Sequence, residues 1–301
     1  NQREYPMQLN QIKSFLAVRD AGSLRAAARR IGISQPAISK AMAALESELQ
    51  ASLFVRTSRG VRLTEAGRLF ASRAAVIQAE LGNVREDLAE LSGYAEGTAS
   101  VGIGPAVIPV VASAFTRFHA ERPNTRISVR EGTREVLLPL VRDGSLDFAI
   151  AERGTAPIEG GLASRPLWQA EIVIVARRGH PLALATSLAQ LVSASWLMIY
   201  RPGAGGLLER ACAAAGLPPP NMQVHCESHA AALALIAGSD LLGLVPIQDA
   251  RAGIEAGRLQ RVDVRERLGQ PRMAAFTRAD TPLSAAARQL LAAFVASARG
   301  R

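Results

Sequence analysis

The chain has 301 residues, of which 49% are hydrophobic and 20% charged, and its net charge is +9. That length suggests two or three domains, and that balance excludes a disordered chain. Residues 1–70 hold 11 Lys/Arg against 5 Asp/Glu, so +6 of the +9 sits in the first quarter, which suits an N-terminal module that meets a polyanion.

A basic membrane-surface module would need an aromatic-faced amphipathic helix, and the sequence has none. No run of about 20 apolar residues marks a membrane span, and no apolar leader of signal type is seen. The two cysteines, Cys212 and Cys226, make no disulfide framework and fit a reducing cytoplasm. A cytoplasmic protein is therefore expected. The opening NQREYP, ahead of Met7, is set aside from the fold reading.

Taken in order, Leu9 to Ala21 reads as a first helix that Gly22 stops, with Phe15 and Leu16 in the core. Ser23 then caps a short helix to Ile31, where Leu24, Ala27, Ala28 and Ile31 recur at helical spacing. Gly32 ends it. Ser34 caps the next helix, over 34–49, and Pro36 falls in its first turn, where a missing N–H costs little. Ile38, Met42, Leu45 and Leu49 supply its apolar stripe.

Two helices joined by a tight Gly-containing turn make a helix-turn-helix, over 23–42. In that motif the start of the second helix enters the major groove, and here it carries Ser34, Gln35, Pro36, Ser39 and Lys40. Gln pairs with an adenine edge, Ser with several bases, and Lys with guanine or phosphate. Ser23 and Arg25, at the start of the preceding helix, are expected to grip phosphate. FVRTSRGVRLT then reads as two short extended runs around a tip. Arg56, Thr57, Arg59 and Arg62 make this a β-wing for the backbone or minor groove.

The stretch Ala26–Leu63, AAARRIGISQPAISKAMAALESELQASLFVRTSRGVRL, resembles the LysR-type transcriptional regulators. The resemblance rests on Ala27-Ala28, Ser34-Gln35, Ile38-Ser39-Lys40, Leu45-Glu46, Leu53-Phe54, Arg56, Leu63-Thr64 and Ala66-Gly67 at fixed spacing. Ile31 and Met42 are conservative departures from Leu and Ile. Gln50 stands where the family usually has Gly, so that turn is expected to differ.

Thr64 caps a long helix to about Ser92, with Leu69, Val76, Leu81, Val84, Leu88 and Leu91 along an apolar stripe. Such a helix needs a partner. The resemblance implies an antiparallel pair that makes a dimer, a tetramer beyond it, paired half-sites on double-stranded DNA, and RNA polymerase as a further partner. Gly93 to Thr98 is a hinge. Strands are expected at Ser100–Gly104, Arg126–Glu131, Leu146–Ala151 and Glu171–Ala176. Helices are expected at Val107–His119, Thr133–Asp143, Leu207–Ala215 and Ala230–Ala237. This alternation implies an α/β sheet.

The expected layout is an N-terminal all-α winged helix-turn-helix over 8–65, a linker helix over 64–93 and an α/β effector-binding domain over 94–301. The last part resembles the family's effector domain, which looks like a periplasmic solute-binding protein of two subdomains around a cleft. Subdomain I is placed at 98–167 and 270–301, and subdomain II at 168–269. The chain would cross between them at Pro166–Gln169 and Leu268–Arg272.

Open α/β sheets bind ligands beyond the carboxyl ends of their strands. That rule marks Gly104-Pro105-Ala106, Gly132-Thr133-Arg134, the loop from Tyr200 through Arg201 and Gly203 to Gly206, and Glu227-Ser228-His229. The family's effectors at matching places are often small organic acids, which Thr133, Arg134, Arg201 and Ser228 would suit.

His225, Cys226 and His229 lie close in sequence, but no fourth ligand joins them, so no metal or other cofactor is expected. Gly102-x-Gly104 lacks the third glycine of a dinucleotide loop. No G-x-S-x-G elbow or carboxylate pair argues for an enzyme. A solute-binding transport component is opposed by the helix-turn-helix.

Overall fold

A computed structural model describes residues 7–58, 60–91, 97–154, 157–158, 160–199, 206–226 and 228–299. The chain divides into two compact units near residue 95.

The first unit holds α1 (Leu9–Ala21), α2 (Leu24–Ile31), α3 (Gln35–Leu49), the hairpin β1 (Phe54–Thr57) and β2 (Gly60–Leu63), and α4 (Glu65–Leu91). Its caps follow the sequence. Ser23 Oγ accepts from Ala26 N–H at 3.1 Å and Ser34 Oγ from Ala37 N–H at 3.3 Å. Phe15, Ile38, Leu45 and Leu53 are fully buried together. Phe15 is the centre: its ring lies 5.0 Å from that of Phe54 and 4.8 Å, edge-on, from that of Phe70. Each such side chain contributes about 1.5–3 kcal/mol by leaving water. Leu49, expected in the stripe of α3, is instead exposed, as is Ile31. Both are the last residues of their helices.

Gln50 ends α3 with φ 49°, the only positive φ outside glycine among the described residues. The turn thus keeps the left-handed shape that glycine usually supplies, with a side chain that strains it. Gly67 answers a different need. A Cβ there would stand 2.0 Å from the carbonyl oxygen of Leu53, so only glycine lets α4 start against the hairpin.

The second unit contains two five-stranded sheets. In chain order its elements are β3 (Thr98–Ile103), α5 (Ile108–Glu121), β4 (Arg126–Glu131), α6 (Arg134–Arg142), β5 (Phe148–Glu152), β6 (Leu162–Gln169), β7 (Ile172–Arg177), β8 (Ser195–Met198) and α7 (Leu207–Ala214). Then come β9 (Asn221–His225), α8 (His229–Gly238), β10 (Leu241–Pro246), α9 (Ile247–Glu255), β11 (Leu259–Val262), β12 (Arg272–Arg278) and α10 (Ala285–Arg299). The sheet orders are β4-β3-β5-β12-β6 and β11-β7-β10-β8-β9.

Strand alternation sorts the cores. Phe148, Ile150, Met273 and Ala275 face α5 and α10, where they meet Phe118 and Phe294. Ala149, Ala151, Ala274 and Phe276 face Leu137, Leu138 and Val141 of α6. The second sheet does the same. Trp196 and Met198 meet Leu208 of α7, and Leu197 meets Ile236 of α8. Asp147, in the GSLDF stretch, ties β5 to β3 by accepting from Ser100 N–H at 2.7 Å and Ser100 Oγ at 2.9 Å.

The chain passes from the first sheet to the second at Ala170–Glu171, because β6 pairs with β12 as far as Gln169. Trp168 and Gln169 therefore belong to the first sheet, later than the crossing expected from the sequence. The return is joined there by Ala170 N–H to Pro271 O at 2.9 Å.

Candidate nucleic-acid interface and effector cleft

The start of α3 separates its two jobs by geometry. Ile38, Met42 and Leu45 point into the core, while Ser34, Gln35, Pro36 and Lys40 are exposed and Ser39 is half-buried. Gln35 and Ser39, and likewise Pro36 and Lys40, are one helical turn apart, so the polar groups form one face. The helix dipole adds positive potential there, although Pro36 has no N–H and Ala37 N–H already donates to Ser34 Oγ. On α2, Arg25 is exposed as expected. So are Arg29 and Arg30, which the sequence reading passed over, and Arg30 lies 3.7 Å from Asp20.

Register decides how the wing can work. Val55 pairs with Arg62 and Arg56 with Val61. Paired residues share a face, so Arg56 and Arg62 project from opposite faces of the ribbon. Arg56 shares its face with Phe54, whereas Arg62 shares its face with Val55 and Thr57. Arg59 lies outside the described residues. Glu46 holds the ribbon's entry, a role no local pattern announced. Its Oε1 accepts from Leu53 N–H at 2.6 Å and Phe54 N–H at 3.1 Å.

In the second unit, two of the marked loops, Gly104–Ala106 and Gly132–Arg134, follow the carboxyl ends of β3 and β4. Gly104 N–H donates to Ile150 O at 2.7 Å and Gly132 N–H to Ile103 O at 3.1 Å, which locks the first two loops side by side. Pro105 and Ala106 form a tight 3-10 turn, and Ala106 packs against the core. Thr133 caps α6 through its carbonyl. Arg134 follows, half-buried, with its Nε buried and without a hydrogen-bond partner. Its guanidinium lies over Gly154, where a Cβ would stand 2.7 Å from Nη1 and φ is +63°. Ser228 caps α8 in the other half, accepting from Ala231 N–H at 3.3 Å. Arg201 and Gly203 lie outside the described residues.

The carboxyl ends of the two sheets face each other, since the 105–107 turn touches β10 and α5 touches α9. Charges meet across the gap. The carboxyl of Glu152, at the end of β5, has its pKa raised above the ordinary value. Withdrawal from water is the main cause; Arg210 of α7 opposes it, Glu135 adds to it and Arg134 opposes it. Neither Glu152 nor Arg210 was singled out from the sequence, although Glu152 ends the apolar run FAIAE where a strand would deliver it to a cleft. His229, weighed from sequence as a metal ligand, places its Nε2 2.7 Å from Asp249 Oδ2, and both side chains are buried. That pair joins the starts of α8 and α9.

Comparison with known proteins bears on both regions. The family profile described as "Bacterial regulatory helix-turn-helix protein, lysR family" matches residues 9–68, and "LysR substrate binding domain" matches residues 92–299. The chain is 33% identical over 266 residues to the HTH-type transcriptional regulator GalR of Pseudomonas putida, covering 86% of this chain and 66% of that protein. It is 31% identical to the HTH-type transcriptional regulator GbpR of Azospirillum brasilense, covering 97% of this chain and 86% of that one. The crystal structure of full-length CbnR complexed with its target DNA shares the fold, with a TM-score of 0.67, 23% identity, and coverage of 98% of this chain and 99% of that one. An exposed polar face on α3, a basic wing and a two-sheet effector fold, matched over nearly the whole chain by these profiles, place the chain in the LysR family of DNA-binding transcriptional regulators.

Proposed function

We propose that the protein binds promoter DNA sequence-specifically as a homo-oligomer, in the cytoplasm, and that a small organic acid in the cleft of the second unit modulates that binding. Gln35, Ser39 and Lys40 read base edges, while Ser23, Arg25, Ser34, Arg56 and Arg62 hold phosphates. RNA polymerase at the same promoter is the partner through which occupancy becomes transcription.

The observation that carries the effector reading is Arg134. Its guanidinium has no acidic partner at bonding distance among the described residues, and its Nε is buried and unpaired. The half-buried Arg134 belongs to the Gly132 loop beside the Gly104 loop, where a ligand carboxylate would pair with its guanidinium. The effector alters DNA binding only through different affinities for the two forms of the protein.

The oligomer is supported by α4. Ile77, Val84 and Leu88 are 37%, 49% and 57% exposed, and Leu81 lies among them. These four follow the alternating three- and four-residue spacing of a coiled-coil seam. A second copy of the helix would cover this exposed seam, and two such dimers form the tetramer.

The test is a thermal-shift screen of the full chain against small aromatic and aliphatic acids, with Arg134→Ala in parallel. An acid that raises the melting temperature of the parent and not of the variant supports the reading, since a ligand of the native state stabilises it by mass action. Equal shifts in both proteins would remove Arg134 from the site.

A further inference from the structure

Outside the cleft, a groove of about 310 Å³ opens along the outer flank of α10, lined by Arg165, Arg288, Leu291, Ala292, Val295 and Ala296. The helix makes it by using two adjacent faces. Ala286, Ala287, Leu290, Ala293 and Phe294 fill the core against α5. Arg288, Leu291, Ala292, Val295 and Ala296 recur at spacings of three and four and form a second stripe, in which Arg288 and Ala292 are exposed and Leu291, Val295 and Ala296 half-buried. Ala292 and Ala296, one turn apart, leave the floor hollow where longer side chains would fill it. Leu291 and Val295 wall it. From residue 288 to residue 296 the stripe runs about 12 Å at 1.5 Å per residue.

The edge strand β6 adds Arg165, so two guanidinium groups line one groove. Both residues are exposed, and neither has an acidic partner among the described residues. Two uncompensated cations beside an apolar floor fit a molecule with one anionic end and one apolar end. The volume stands at the lower end of the usual range for small-molecule pockets.

We propose that this groove is a second ligand site, separate from the effector cleft, for an amphipathic organic acid with a linear aliphatic tail. The head pairs with Arg165 and Arg288, and the tail lies along Leu291, Val295 and the two alanines. The head gains two charge-assisted hydrogen-bonded pairs, and the tail leaves water against a preformed surface.

The test uses the full chain and decanoate, below the concentration at which it forms micelles, followed by isothermal titration calorimetry. Butyrate keeps the head and loses the tail, and a neutral decyl glucoside keeps the tail and loses the charge. Decanoate is expected to bind and both controls to bind far more weakly. Arg165→Ala and Arg288→Ala each weaken decanoate binding about tenfold. Ala292→Phe fills the floor and abolishes binding, its fold checked by circular dichroism. Arg134→Ala leaves the affinity unchanged, because that residue belongs to the cleft. The proposal is overturned if decanoate does not bind, if Arg134→Ala alone removes binding, or if the groove variants keep the parent affinity. It is equally overturned if Arg288→Glu lowers the oligomeric state without changing decanoate affinity, which would make the groove a contact between copies.

Discussion

Single residues in this protein show where local chemistry decides. Gln50 holds a left-handed turn that a side chain strains, at φ 49°. Gln50→Gly relieves that strain, though glycine also loosens the unfolded chain, so the net gain is about 0.5–1 kcal/mol. Urea unfolding of the variant should show a higher midpoint; a lower one would mean the glutamine side chain has its own role. Glu152 offers a second test through pH. Its carboxyl titrates above the ordinary value of 4.5, so the folded state holds that proton more tightly than the unfolded chain does. The stability it contributes is complete below pH 4.5 and is lost as pH rises through the raised folded value. Glu152→Gln is therefore expected to match the parent in acid and to exceed it near neutrality. Urea midpoints that stay parallel across that range would contradict this. The same substitution removes a negative charge beside Arg134 and should tighten binding of an acid in the cleft.

At the scale of elements, the DNA-binding head was nearly all legible in the sequence. Its signals are short-range: Ser23 and Ser34 cap the helices that follow them, and the stripe Ile38, Met42 and Leu45 is periodic within one helix. What the sequence did not show is non-local. Glu46 reaches the hairpin seven residues on, and the opposition of Arg56 and Arg62 is a matter of cross-strand register. That opposition carries a prediction. A ribbon set edge-on in a groove presents one arginine to each wall. Arg56→Ala and Arg62→Ala should then each lower the slope of log affinity against log salt by about one phosphate contact, and the double variant by about two. If one single variant leaves the slope unchanged, the ribbon lies flat and only one arginine is used. The exposed seam of α4 carries another. Val84→Asp is expected to dissociate the oligomer in sedimentation velocity and to weaken operator binding, while circular dichroism still reports helix. Unchanged sedimentation would place the dimer contact elsewhere.

For the whole molecule, the α/β character of the second unit was legible, and so were its two subdomains and one strand of the second sheet, β7, but not the other four strands of that sheet. β8 and β10 are short apolar runs, β11 is a four-residue LQRV, and no hairpin turns join neighbours. β12 pairs with strands that lie more than a hundred residues earlier in the chain. The cleft was half-read for the same reason: Thr133 and Arg134 belong to a recognisable strand-to-helix loop, whereas Arg210 meets Glu152 only through the crossing of the chain between sheets. The central claim is that the polar face of α3 reads a specific DNA sequence. It is tested most directly by selecting duplexes from a random pool with the full chain, then measuring the affinity of the selected and random duplexes for the parent and for Lys40→Ala at one salt concentration. The parent is expected to enrich paired half-sites and to bind them about a thousandfold or more above random DNA, with much of that ratio lost in Lys40→Ala. No enrichment, or a ratio that Lys40→Ala leaves untouched, would contradict the assignment of α3 as the reading helix.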